Sequence, residues 1–321
     1  MIQVSKRLLL VALVIAIAAL IGCGNGDSNA QAEGKVSVVT SFYPLYFFAK
    51  EIGGDNAFVV NLIATGVEPH EWTPKSRDLS VASKAQLFIY NGAGLEGWVD
   101  GFLNGLGSDS QVLTVEASKG IKLIQGNPEE HDEDHQDEAG KDHEHSLLDV
   151  DPHTWTSPRS ALVMAANIRD AFVQVDSAHR AEYEANYAEV EGRLKALDAE
   201  FTEQLSGYTR RDIVVSHQAF GYLCRDYGLN QIPIMGLSPE AEPRAQDLLK
   251  IARYVKEQNI PYIFFEELVS EQLADTLASE AHVKTLVLSP LEGLTSEQEK
   301  AGENYYTLLE RNLQNLRKAL G

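Results

Sequence analysis

The sequence predicts an α/β protein of two lobes, each built on a mainly parallel sheet, joined by a single long helix. Three observations carry this reading: two separate sets of short β-branched runs, helical patterns between the runs of each set, and one unbroken amphipathic stretch between the sets. In the first set, residues 36–41, 58–63 and 86–90 read as strands, with helical patterns near 46–52 and over 76–85. In the second, residues 213–216, 232–235, 262–265 and 285–288 read as strands, again separated by helical segments. Alternation of this kind is the signature of βαβ units.

The stretch between the sets covers residues 177–205. Its apolar positions are Tyr183, Tyr187, Val190, Leu194, Leu197, Phe201 and Leu205, and their steps of three and four trace one helix face. No proline interrupts it, and Gly207 follows as a stop signal. A helix of this length is a rod of about 40 Å. The expected organisation is an N-terminal lobe over 35–176, a linking helix over 177–206 and a C-terminal lobe over 207–321. The last of these closes with an amphipathic helix carrying Leu309, Leu313, Leu316 and Leu320.

Residues 1–22 read as a secretory leader. Lys6 and Arg7 precede an apolar run of 14 residues from Leu8 to Ile21, too short to span a bilayer comfortably but suited to a signal sequence. The run ends in Leu20-Ile21-Gly22-Cys23, which resembles a bacterial lipobox, so Cys23 is the expected lipidation site. Two fatty chains there would hold the chain at the membrane surface, and the small polar residues 23–34 read as a tether. About 300 residues remain, too many for one ordinary core and suited to two lobes. Of the two cysteines, Cys224 is then left alone; it reads as a small buried apolar side chain in Tyr222-Leu223-Cys224.

The net charge of −20 argues against a nucleic-acid partner, which needs a basic surface. No glycine-rich phosphate loop with a lysine is present. Residues 129–145 hold nine acidic residues, four histidines (His131, His135, His143, His145) and one lysine. Such a stretch cannot bury enough apolar surface to offset its ordering entropy, and it is expected to be a loop that binds metal weakly. Of the other histidines, His179 and His282 lie in polar helical contexts and are expected to be solvated. His70 and His153 each follow a proline and precede a tryptophan by two residues, and His217 ends the run Val214-Val215-Ser216. Proline fixes the local backbone, and ligands of open α/β sheets gather at the carboxyl ends of strands. All three histidines can occupy such positions, which makes them candidate metal ligands as a group.

Six strings appear in order: Thr40-Ser41-Phe42-Tyr43-Pro44-Leu45, Gly66-Val67-Glu68-Pro69-His70-Glu71-Trp72, Asn91-Gly92-Ala93-Gly94-Leu95-Glu96-Gly97-Trp98, Asp151-Pro152-His153-Thr154-Trp155, Ser216-His217-Gln218-Ala219-Phe220-Gly221-Tyr222 and Ser289-Pro290-Leu291-Glu292-Gly293. Together they resemble the metal-binding solute-binding proteins of ABC importers, specifically the zinc branch, from about Lys35 to the C-terminus. The resemblance implies two Rossmann-like lobes bridged by one long helix, with a metal site in the cleft between them. It implies His70 and His153 as ligands from the first lobe and His217 from the second. Glu292 is the implied fourth ligand, with Glu68 or water as its alternatives. It further implies a monomer that delivers Zn²⁺ to a cognate permease and its ATPase.

Three imidazoles and a carboxylate suit tetrahedral Zn²⁺. Manganese prefers more oxygen donors. Copper(I) would call for soft sulfur ligands, and the chain has three methionines. Copper is harder to set aside, because imidazole binds it well and raw affinity favours it. Other readings share these residues: a manganese or other divalent-metal-binding protein or an adhesin of the same family, and a zinc hydrolase. Against the hydrolase, His70-Glu71 continues as Trp72-Thr73-Pro74, so no HExxH helix is formed, and a fourth ligand at Glu292 would close the position that catalysis needs open.

Overall fold

The computed structural model describes residues 34–126, 150–239 and 243–321. Strands β1 (Val36–Thr40), β2 (Ala57–Asn61), β3 (Leu87–Tyr90) and β4 (Leu113–Glu116) form one parallel sheet in the order β2-β1-β3-β4. Strands β5 (Asp212–Val215), β6 (Asn230–Pro233), β7 (Tyr262–Phe265) and β8 (Lys284–Val287) form a second in the order β6-β5-β7-β8. The two sheets share one topology. In each, the chain leaves the first strand to one side and returns to pair on the other. That puts a switch point between β1 and β3 and another between β5 and β7, where open parallel sheets hold their ligands.

The first lobe carries helices α1 (Tyr43–Gly53), α2 (Ser76–Ala82), α3 (Val99–Leu106) and α4 (Pro158–Val175). Helix α5 (Arg180–Ser206) follows, and α6 (Gly221–Tyr227), α7 (Ala245–Glu257), α8 (Gln272–Ala281), α9 (Ser296–Ala301) and α10 (Tyr305–Leu320) complete the second lobe. Strand ends differ from the sequence reading by one or two residues. The expected linking helix is divided: Ser177–His179 is a separate 3-10 turn, and the α-helix begins at Arg180. Three elements of the first lobe were not anticipated: α3, β4 and α4. Strand β4 is a four-residue edge strand with no fully buried residue; Leu113-Thr114-Val115-Glu116 does alternate apolar and polar residues, but over too short a span to stand out. Helix α4 does carry a start signal: Pro158 stands at its first turn, and the Ser157 hydroxyl accepts from the Arg159 backbone N–H at 3.3 Å.

Periodicity sorts each sheet into two faces. Val36 and Val38 of β1 face a central core while Val39 faces an outer cluster with Phe88 and Phe102. Likewise Ile213 and Val215 of β5 face the central core, and Val214 joins Ile263 and Val255 on the far side. Helix α5 buries Tyr183, Val190, Leu194, Leu197, Phe201 and Leu205 in that central core and packs on α1, α4, α6 and α10. It therefore belongs to one core with both lobes, which together occupy the compact unit Val36–Gly321. Among the described residues, no helix is long and apolar enough to cross a membrane.

Candidate metal centre

The carboxyl ends of both sheets supply the site. His217 lies two residues beyond β5 and Glu292 lies five beyond β8, whereas His70 sits on the long connection from β2 to α2. His153 caps the 3-10 turn Thr154–Thr156 that leads into α4. The structure brings these four together, with one donor atom from each lying within 4.8 Å of all the others. His153 Nε2 is 3.1 Å from His70 Nε2 and 3.2 Å from His217 Nε2. Glu292 Oε1 is 3.3 Å from His70 Nε2 and 3.5 Å from both His153 Nε2 and His217 Nε2. A tetrahedral zinc with ligand bonds near 2.05 Å has ligand–ligand edges of about 3.3 Å. Five of the six edges are thus within a few tenths of an ångström of the zinc tetrahedron. The side chains are almost wholly sequestered: His153 and His217 are fully buried, and those of His70 and Glu292 are 4% and 1% exposed.

The motif strings around these residues hold them in place. Glu96, fully buried, accepts from the Ser41 hydroxyl at 2.6 Å and from the backbone N–H groups of Asn91 and Gly92 at 2.8 and 3.0 Å. Burial raises its pKa, and these bonds oppose the rise. Asn91 in turn grips the His153 loop on both sides, donating to the Pro152 carbonyl and accepting from the Thr154 hydroxyl, each at 2.9 Å. The Glu292 loop is clamped by Asn312, whose amide accepts from the Ser289 N–H at 2.8 Å and donates to its carbonyl at 2.7 Å. Leu291, fully buried, takes φ +64°, a left-handed conformation unusual for leucine, directly before the carboxylate. Trp155 joins the two loops by donating from Nε1 to the Pro290 carbonyl at 2.7 Å.

Two carboxylates escaped the sequence reading. Asp151 Oδ1 lies 2.8 Å from His153 Nδ1, and Glu266 Oε2 lies 2.6 Å from His217 Nδ1. Asp151 stands in one of the motif strings. Glu266 carries a weaker signal, being an acidic residue directly after the strand beside β5. Burial lowers the His217 pKa, but Glu266 and Glu292 outweigh it and the group is pushed up to about 10. His153 is raised in the same way, burial being overcome by Asp151 and Glu292. Burial leaves His70 below its ordinary value. Glu292 is held well below the usual carboxylate range; burial opposes this, and the three imidazoles prevail. Its second oxygen, Oε2, is buried without a hydrogen-bond partner among the described residues, an unmet acceptor whose burial a divalent cation at the cluster would help to offset.

Glu68, the alternative fourth ligand, stands farther off. Its nearer oxygen is 4.0 Å from His70 Nε2, and the carboxylate accepts instead from the backbone N–H groups of His70 and Glu71. Burial and the Glu292 charge push its pKa up to about 7. Cys224 is buried, as its sequence context predicts. His282 is exposed at the end of α8. His179 is less free than expected, with Nδ1 2.7 Å from Asp176. Cys23 and the loop histidines His131, His135, His143 and His145 lie outside the described residues.

Known proteins share this fold and sequence. A family model described as zinc-uptake complex component A, periplasmic, matches residues 38–319. The zinc-binding lipoprotein AdcA of Streptococcus pneumoniae is 42% identical over 299 residues, covering 93% of this chain but 58% of that protein, so the chain spans little more than half of it. The high-affinity zinc uptake system protein ZnuA of Bacillus subtilis is 39% identical over 301 residues, covering 93% of this chain and 92% of that one. The crystal structure of the Zn(II)-bound ZnuA-like domain of Streptococcus pneumoniae AdcA matches with a TM-score of 0.75 at 39% identity, over 89% of this chain and 99% of that domain. With nearly its whole length matched, the chain belongs to the family of zinc-uptake complex component A, periplasmic.

Proposed function

We propose that this protein captures Zn²⁺ outside the cytoplasmic membrane through His70, His153, His217 and Glu292, and delivers it to an ABC importer made of a permease and its ATPase. The observation that carries the reading is the tetrahedron itself: three imidazole nitrogens and one carboxylate oxygen, with five measured edges of 3.1–3.5 Å. Four side-chain ligands fill a tetrahedral shell and leave none of the open position that a hydrolytic zinc keeps for water, so the protein binds and does not catalyse. The relatives' names, zinc-binding lipoprotein and high-affinity zinc uptake protein, support the same cargo and a lipid anchor at Cys23. The acidic segment 129–145 adds weak zinc sites. The protein acts as a monomer of two lobes, 35–176 and 207–321, about a linking segment 177–206 whose α-helical part is Arg180–Ser206, and its net charge of −20 leaves nucleic acid out of its partners.

A competitive zinc titration of the full chain tests this, with Co²⁺ absorption reporting the geometry. One tight site with strong tetrahedral Co²⁺ bands is expected, loosened by Glu292→Ala. A tight site indifferent to Glu292→Ala, with an exchangeable water on the metal, would overturn the closed ligand set and return catalysis to consideration.

A further inference from the structure

We propose that Asp151 and Glu266 are positioning residues for metal capture, each fixing one imidazole so that its Nε2 faces the ion, and that Gly221 is required to make room for Asp151. The inference rests on the capture reading above. A neutral imidazole carries one N–H, and the nitrogen that keeps it is decided by the partner of the other ring atom. Both Nδ1 atoms lie against carboxylate oxygens, which only accept, at 2.8 and 2.6 Å. In the metal-loaded protein the one ring proton therefore stays on Nδ1, and Nε2 is the nitrogen that meets the metal.

Each carboxylate grips its histidine twice. Asp151 Oδ1 also accepts from the His153 backbone N–H at 3.0 Å, and Glu266 Oε1 accepts from the His217 backbone N–H at 3.1 Å. Ring and backbone are thus tied to one anchor. The fold reaches the same device by two routes: Asp151 is two residues from its histidine in one loop, whereas Glu266 directly follows β7, beside the β5 strand that leads to His217. Among the described residues, His70 Nδ1 has no such carboxylate. Asp151 and Glu266 are both buried, at 0% and 2% exposure. Buried anions are costly unless paired. With Glu292 they place three carboxylates around a doubly charged ion, which turns a net charge of about +1 at the loaded centre into about −1.

Gly221 supports this by its absence of a side chain. A Cβ there would strike Asp151 Oδ2 first, ahead of Gln231 and Ile124 at 3.4 Å. Gly221 is not among the positive-φ residues, so its backbone does not demand glycine. Space for the carboxylate does.

The test measures zinc affinity of the full chain by competition with a chromophoric chelator, alongside ¹⁵N shifts of the histidine rings in the zinc-loaded protein. Native protein should show protonated Nδ1 and metal-bound Nε2 on His153 and His217. Asp151→Asn and Glu266→Gln should each weaken zinc about 10- to 100-fold, moving the ring signals of His153 and His217 respectively. Gly221→Ala should match the loss of Asp151→Asn, and should add nothing in an Asp151→Ala background, where the carboxylate is gone. Folded variants that bind zinc within twofold of native, with unmoved ring signals, would overturn the proposal, as would a Gly221→Ala loss of equal size in both backgrounds. If one carboxylate variant fails to fold, the other gives the same reading. Native protein without a tight zinc site would sink the capture reading itself, a distinct outcome.

Discussion

Acidification should release zinc, and the site sets the slope. In the metal-free protein His217 is pushed up to about 10 by Glu266 and Glu292 against the lowering effect of burial, so at neutral pH it carries a second ring proton. Zinc takes the Nε2 position and must displace that proton. One displaced proton per ion weakens zinc tenfold for each unit of acidification, about 1.4 kcal/mol. His153, raised above 6.5 by Asp151 and Glu292, adds to the count, whereas His70 is lowered by burial and adds none at neutral pH. From pH 8 to pH 6 the affinity should therefore fall between about 100-fold and 10,000-fold. The metal-free fold responds with the opposite sign. A histidine whose folded pKa is raised stabilises the fold fully below the unfolded value near 6.5, and this is lost as pH rises towards about 10. Chelator competition from pH 6 to 8 measures the slope. Calorimetry at pH 7 in buffers of different ionisation enthalpy counts the protons directly. A pH-independent affinity with no proton released would refute the charge assignment of His217.

Three other outcomes follow from the same geometry. His217→Ala removes a fully buried ligand and should abolish tight zinc binding while leaving the far-UV circular dichroism of the metal-free protein native; retained tight binding would remove His217 from the ligand set. Deleting residues 129–145 should abolish weak zinc sites and keep one tight site; if a titration showed the tight site lost instead, the four-residue centre would be wrong. Leu194→Ala, in the buried face of α5, should destabilise the protein by about 2–5 kcal/mol in denaturant unfolding and change the zinc affinity of the folded protein by less than threefold, since Leu194 belongs to the core and not to the site.

The resemblance of six short strings implied the four residues that the fold gathers, and the residues alone had already picked out His70, His153 and His217 by preceding proline, following aromatic and strand end. Period-two and period-three-to-four patterns placed most strands and the linking helix, because alternating burial on a sheet and a single buried helix face both write themselves into local order. Strand β4 left only a faint mark, its alternation being four residues long. Asp151 was missed although it stands two residues from His153 in the same motif string, and Glu266 for a different reason: nothing in its neighbours along the chain says which imidazole it will meet. Glu266 is 49 residues from His217 and reaches it only because β7 pairs with β5.

By itself, then, the sequence determined the two-lobed α/β plan, the linking helix and the residue types that suit zinc, since all of these depend on local periodicity and side-chain chemistry. Only the tertiary structure decided that Glu292 stands nearer the three histidines than Glu68, that two of three imidazoles are backed by carboxylates, and that Gly221 lies against Asp151. Those outcomes depend on distances of a few ångströms between strand ends far apart in the chain, which strand pairing and core packing alone create.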